Sequence, residues 1–191
     1  HFTFKGGTSL SKVYKVIGRF SEDVDVSIER SYLGYGGERE PEKGGSNKEK
    51  KRRIDGLIER CKETIADTIY PELKSLIQES LGTDKNWKVE LDTEDLTNPS
   101  LLFHFPSVLS SSKEDYLKPI VKIEMGARSD HWPVENSEIT PYVVDAIADA
   151  MTDKTVNVRV LAAERTFWEK ATILHRLYHF PENKPLPIRM T

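Results

Sequence analysis

The chain has 191 residues, 28 Lys+Arg against 31 Asp+Glu, a formal net charge of −3 and 37% hydrophobic residues. That size suits one ordinary domain or a core with a small appendage, and with no apolar run near the roughly 18–20 residues of a bilayer span the composition excludes a transmembrane protein. A single cysteine, Cys61, excludes an intramolecular disulfide framework and any multi-cysteine zinc site. The start, His1-Phe2-Thr3-Phe4, has no basic region followed by an apolar stretch, so a cytoplasmic protein without a signal peptide is the expectation. The near-neutral charge balance does not mark a nucleic-acid binder as a whole, which leaves local charge to be read.

In chain order, Phe2 to Phe4 reads as a short buried strand ending at Gly6-Gly7. From Ser9 the apolar positions Leu10, Val13, Tyr14 and Ile17 take helical spacing, with Gly18 as the stop. Asp23 to Ile28 alternates polar and apolar, the pattern of a half-buried strand. Ser31 to Ser46, rich in glycine and without apolar period, reads as a mobile loop. Asn47 is the expected cap of a long helix with Ile54, Leu57, Ile58, Cys61 and Ile65 on one face, kinked or divided at Pro71 and running to Leu81-Gly82. Trp87 to Leu91, Leu101 to Phe105 and Ile120 to Met125 are strand candidates. A weaker helix follows over 143–151, a strand over 156–160, and a strong helix over 163–180. The missing initiator Met and the Pro-rich end Phe180 to Pro187 read as those of a piece of a longer protein. The order points to an α+β fold, with a core over 1–135 carrying a helical insertion near 47–81, and a mainly helical portion over 136–191.

The most informative segment is Gly6-Gly7-Thr8-Ser9 followed by Asp23-Val24-Asp25-Val26. A strand that ends in two glycines and opens a helix brings backbone amides close to an anion, and a helix N-terminus favours negative charge. Thr8 and Ser9 add hydroxyls. Asp23 and Asp25, two apart on a strand, share a face. Two carboxylates side by side repel unless a cation lies between them, and oxygen ligands of this kind suit magnesium that also binds substrate phosphates. Each half alone is common in plain turns and solvated strands; their helix-length separation brings the two strands side by side and makes the pair informative.

Phe4 to Lys12, then Arg19-Phe20-Ser21-Glu22-Asp23-Val24-Asp25, and later Ala163-Glu164-Arg165-Thr166-Phe167-Trp168-Glu169-Lys170, resemble the nucleotidyltransferase AbiEii/AbiGii toxin family over almost the whole chain. That family is similar to the DNA-polymerase-β-type nucleotidyltransferases. The resemblance implies a mixed sheet with flanking helices and a helical C-terminal portion. It also implies transfer of a nucleoside monophosphate from an NTP with magnesium, or with manganese in its place. A bacterial toxin with a cognate antitoxin is implied, in a toxin–antitoxin or phage-defence system, with tRNA as one acceptor. The family pattern continues into an Arg-rich helix with Tyr-Asp that does not follow Arg189-Met190-Thr191 here.

A third carboxylate completes the expected set. Glu124, between apolar neighbours in Ile120 to Gly126, is favoured as catalytic and metal-binding with Asp23 and Asp25; Asp92 is the competitor, and a surface pair of Lys122 with Glu124 is the bland alternative. On the late helix, Phe167, Ala171, Leu174 and Tyr178 form an apolar arc with Glu164 inside it and Lys170 at its border. A carboxylate in a buried arc needs a partner. The resemblance has Lys170 reach the triphosphate, against a structural ion pair. Gly6, Gly7, Thr8, Ser9, Lys12, Lys170 and Arg128 are thus the expected nucleotide-binding residues, with Lys12 slightly preferred to Lys5. Lys48, Lys50, Lys51, Arg52, Arg53, Arg60 and Lys62 against Glu49, Asp55 and Glu59 give a local net of +4, either a solvated helix face or a guide for a nucleic-acid backbone. His175 and His179 lack the H-E-x-x-H context of a zinc pair. Two other readings stay open: a nucleotide-binding module without turnover, and a transferase that modifies a protein hydroxyl.

Overall fold

A computed structural model describes residues 1–18, 21, 23–83, 86–93, 99–107, 118–129, 132–147 and 155–181. The elements are β1 (Phe2–Lys5), α1 (Gly6–Lys12), β2 (Asp23–Ile28), α2 (Asn47–Thr64), a π-helical turn (Ile65–Ile69), α3 (Tyr70–Leu81), β3 (Lys88–Leu91), β4 (Ser100–His104), β5 (Ile120–Gly126), β6 (Val134–Ile139), α4 (Val143–Ile147), β7 (Val156–Leu161) and α5 (Ala163–Tyr178). The strands form one mixed seven-stranded sheet in the order β3-β4-β5-β2-β1-β7-β6. β2 pairs with β5, and β1 with β7, in parallel; the remaining pairs are antiparallel.

Alternation gives this sheet two chemically different faces. Registers Phe4↔Val26, Val24↔Ile123, Val26↔Met125 and Leu101↔Ile123 gather apolar side chains on one face. There Ile28, Leu101 and Met125 pack with Leu57 and Cys61 of α2 and with Ile65 and Ile69 of the π turn. The other face carries Lys5, Asp23, Asp25, Lys122 and Glu124 through the registers Lys5↔Asp25, Asp23↔Lys122 and Asp25↔Glu124. The apolar face holds the long helix in place and leaves the polar face for chemistry.

Several expectations are corrected. The first helix starts at Gly6 and ends at Lys12, rather than running from Ser9 to Ile17: Gly6 takes φ +77°, a left-handed value that lets the chain turn straight from strand to helix. The segment 31–46 contains two 3₁₀ turns, at Gly37–Arg39 and Pro41–Lys43. Arg53 ties it down by donating to the Glu38 and Glu40 carbonyls at 2.7 and 3.1 Å. Ser46, not Asn47, caps α2: its hydroxyl accepts from Glu49 N–H at 3.2 Å, and the Glu49 carboxylate accepts from Gly45 N–H at 3.2 Å, close to a capping box.

The expected division of the helix near Pro71 is present: a π-helical turn at Ile65–Ile69 separates α2 from α3, and Pro71 stands in the first turn of α3. Lacking an N–H, it cannot serve the carbonyl four residues back, and the chain widens into the π turn, where Tyr70 N–H reaches Ile65 O. β6 is an element the sequence reading missed, and the expected boundary at 135 falls inside it; β6 and β7 complete the sheet. The expected helix over 143–151 is present as α4 through Ile147, and 148–151 lie outside the described residues.

Candidate active site

The site begins with the turn from β1 to α1. With Gly6 at positive φ, its Cα faces the Asp25 carboxylate so closely that an added Cβ would overlap it. Thr8 and Ser9 are buried, and their hydroxyls close the turn: Thr8 donates to the Asp23 carbonyl, and Ser9 to the Gly6 carbonyl at 2.9 Å. The hydroxyls expected to meet phosphate are therefore engaged with backbone, and they fasten the turn to β2.

Asp25 stands at the centre. Burial pushes its carboxyl above the ordinary range, Glu124 and Asp23 push it the same way, and Lys5 and Lys170 oppose them. Glu124 is its register neighbour on β5. A small cleft of about 280 Å³ is lined by Asp25, Glu124, Lys5, Arg128 and Ser129 among others, with Lys5 Nζ donating to Ser129 Oγ at 2.9 Å. Asp92 stands one step further out: Lys122 lies 3.3 Å from its carboxylate and 3.2 Å from that of Glu124. Burial works against the Lys122 ammonium, but Glu124 and Asp92 outweigh it and raise its pKa. Among the two candidates for third carboxylate, the one that acts on Asp25 is Glu124.

Lys170 of α5 acts on Asp25 through its charge, while the apolar residues of that helix are not its packed side. Thr166 is 1% exposed, whereas Leu174 is 67% and Tyr178 85% exposed, and Phe167 and Trp168 are exposed as well. Glu164 is exposed rather than held in a buried arc. α5 packs against α1, and its buried residue is Thr166. Lys12, preferred from sequence over Lys5, is not among the groups acting on Asp25. It ends α1 with its ammonium over the Tyr142 ring, and burial lowers its pKa. Lys5, the other lysine weighed, is the one that acts on Asp25. The alternation of Phe2 and Phe4 with Thr3 and Lys5 places Lys5 on the acid face; Lys122 was weighed only as a surface partner of Glu124, and Ser129 was not singled out.

The set is Asp23, Asp25 and Glu124 with Lys5, Lys122 and Lys170 around them, three carboxylates and three ammonium groups. Among the described residues no three of His, Cys, Asp and Glu form a ready cage for a metal. The donors that are present are carboxylate oxygens in neighbouring registers, which fits a hard cation bound by one or two carboxylates together with substrate phosphates.

A protein-family model described as nucleotidyl transferase AbiEii toxin, type IV toxin–antitoxin system, matches residues 1–187. The chain belongs to the AbiEii nucleotidyl transferase toxin family. Neither a comparison with curated proteins nor one with solved structures gives a match. Membership makes this AbiEii chain a nucleotidyltransferase toxin by family, with an antitoxin as its counterpart. Among the described residues, no helix is long and apolar enough to cross a membrane.

Proposed function

We propose that this AbiEii chain moves a nucleoside monophosphate from an NTP to an acceptor hydroxyl of RNA, tRNA being the first to test, on a polymerase-β-type core. The observation that carries the reading is the register Lys5↔Asp25↔Glu124 on the face of the sheet opposite the packed core. Two acids held side by side, one of them with its pKa raised by burial and by the other, favour a cation between them. Two of the carboxylates, Asp25 and Glu124, would hold magnesium or manganese together with the substrate phosphates, with Asp23 adding negative charge on the same face; the ion when bound neutralises phosphate charge and favours attack at the α-phosphorus.

The chain's own groups do the rest. Lys5, Lys170 and Arg128 hold the triphosphate by charge, and the amides at the Gly6-Gly7 turn lie next to Asp25. The acceptor oxygen bonds to the α-phosphorus as the bond to the β-phosphate oxygen breaks. Pyrophosphate leaves and the hydroxyl proton passes to Glu124, which stands at the cleft with Lys122 holding its carboxylate. Mixed strand order, the long helix α2 on the apolar face and acids on the other support the polymerase-β-type core.

The test is incubation of the purified chain with each α-labelled NTP, magnesium and total tRNA, beside an Asp23→Ala/Asp25→Ala control. Label on RNA that vanishes without magnesium and in the control is the expected result. Label on protein alone moves the acceptor to a protein hydroxyl. NTP binding by thermal shift without transfer to either overturns the reaction in favour of a binding module.

A further inference from the structure

The charge of this molecule is unevenly spread. The chain as a whole carries −3, yet the first two turns of α2, residues 47–53, hold five cations and one acid. Lys48, Lys50, Lys51 and Arg52 are exposed, and among the described residues none of them makes an ion pair or a side-chain hydrogen bond; the one acid, Glu49, is taken by Arg53 at 2.7 Å. Cations at a helix N-terminus oppose the helix dipole, so this arrangement works against the helix that carries it. The capping by Ser46 and Glu49 holds the turn in spite of it.

The same turns are fastened to the rim of the acidic cleft. Arg30 donates from Nε to the Ala127 carbonyl at 3.2 Å and from Nη2 to the Arg128 carbonyl at 2.5 Å, while its Nη1 pairs with Glu42 at 2.8 Å. Two residues after Glu42, Gly44 packs directly against Lys50. Arg128 itself lines the cleft with Asp25 and Glu124. The basic turns are therefore linked, through Gly44, Glu42 and Arg30, to the Arg128 backbone at the end of β5.

We infer that the N-terminal half of α2 is a docking surface for the phosphodiester backbone of the acceptor RNA, entered from the Arg128 side of the cleft. The choice of RNA over other polyanions rests on the transfer reaction proposed above. The segment has no aromatic residue between Asn47 and Arg53, so it has no platform for unstacked bases, and it reads charge along a folded RNA rather than sequence.

The experiment is binding of fluorescently labelled total tRNA to the full chain across 50–300 mM KCl, for the wild type and Lys48→Ala/Lys51→Ala/Arg52→Ala. Each lost phosphate contact lowers the slope of log affinity against log salt by about 0.7–0.9. The triple variant is expected to lose about 2 to 3 units of slope and to bind at least about tenfold more weakly at 100 mM KCl. Its thermal midpoint should hold or rise, because cations are removed from a helix start. An unchanged slope in the triple variant overturns the inference, as does a wild type that does not bind tRNA. Poly-glutamate bound as tightly and with the same dependence on α2 overturns it in favour of an acidic protein. Binding that depends on α2 without nucleotidyl transfer to RNA removes the proposed reaction and keeps the surface; transfer with binding independent of α2 does the reverse.

Discussion

At the scale of single residues, the site turns on the absence of one carbon atom. Gly6 has both a left-handed backbone and the Asp25 carboxylate where its Cβ would be, so Gly6→Ala combines backbone strain of about 1–3 kcal/mol with displacement of the central acid. The variant is expected to unfold at lower urea and to lose transfer by at least about a hundredfold, roughly 3 kcal/mol in barrier. In Gly6→Ala/Asp25→Ala the overlap with the carboxylate is gone and only the close approach of the residue-25 Cβ is left, so the double variant should lose less stability than the two single changes together. A strictly additive urea series would show that the two positions do not press on each other. Lys122 illustrates how little of such detail one sequence shows. Its two-residue spacing from Glu124 reads equally as a surface pair, and only the fold brings Asp92, far away in the chain, to its other side.

At the scale of elements, α2 was legible because its apolar series is periodic, and that series is the face that packs: Leu57, Cys61 and Ile65 are all buried. Burial pushes the Cys61 thiol up to about 11 from 9.0, since a thiolate there would lose its water. The folded protein thus holds the thiol proton more tightly than the unfolded chain does. Below about pH 9 the thiol is protonated in both states and nothing is lost; as pH climbs from 9 toward about 11 the unfolded chain alone releases the proton, and stability falls by up to about 3 kcal/mol. Urea midpoints at pH 8, 9.5 and 11 should show this fall, and Cys61→Ala should lack that part of it. At pH 8 the native thiol should resist a thiol reagent until urea opens the helix. β6 was illegible for the opposite reason. Val134-Glu135-Asn136-Ser137-Glu138-Ile139 is an edge strand with polar residues at most positions, so no alternation sets it apart from a loop.

At the scale of the whole molecule, the division of the sheet into an apolar and an acidic face could be read from β2 alone, where Asp23 and Asp25 alternate with Val24 and Val26. What each helix covers could not. The arc of Phe167, Leu174 and Tyr178 was plain from its period, but periodicity states that a helix has a face and is silent on what meets it. Here that arc is exposed, a contiguous apolar surface of the kind that singly scattered residues do not make. The native chain is therefore expected to enhance the fluorescence of an apolar dye while keeping a cooperative thermal transition, and Trp168→Ser/Leu174→Ser should reduce the dye signal severalfold without lowering the midpoint. No dye enhancement from the native chain, or an undiminished signal in the variant, would remove this expectation. Strand order carries one more consequence, for how the molecule is made. β1 lies between β2 and β7, so the strand that opens the acidic site has one neighbour made early and one made late. Lys170 leaves the ribosome later still. A nascent chain holds all three carboxylates before it holds the lysine that helps to balance them, and synthesis itself delays the balancing of Asp25 until residue 170 has been made.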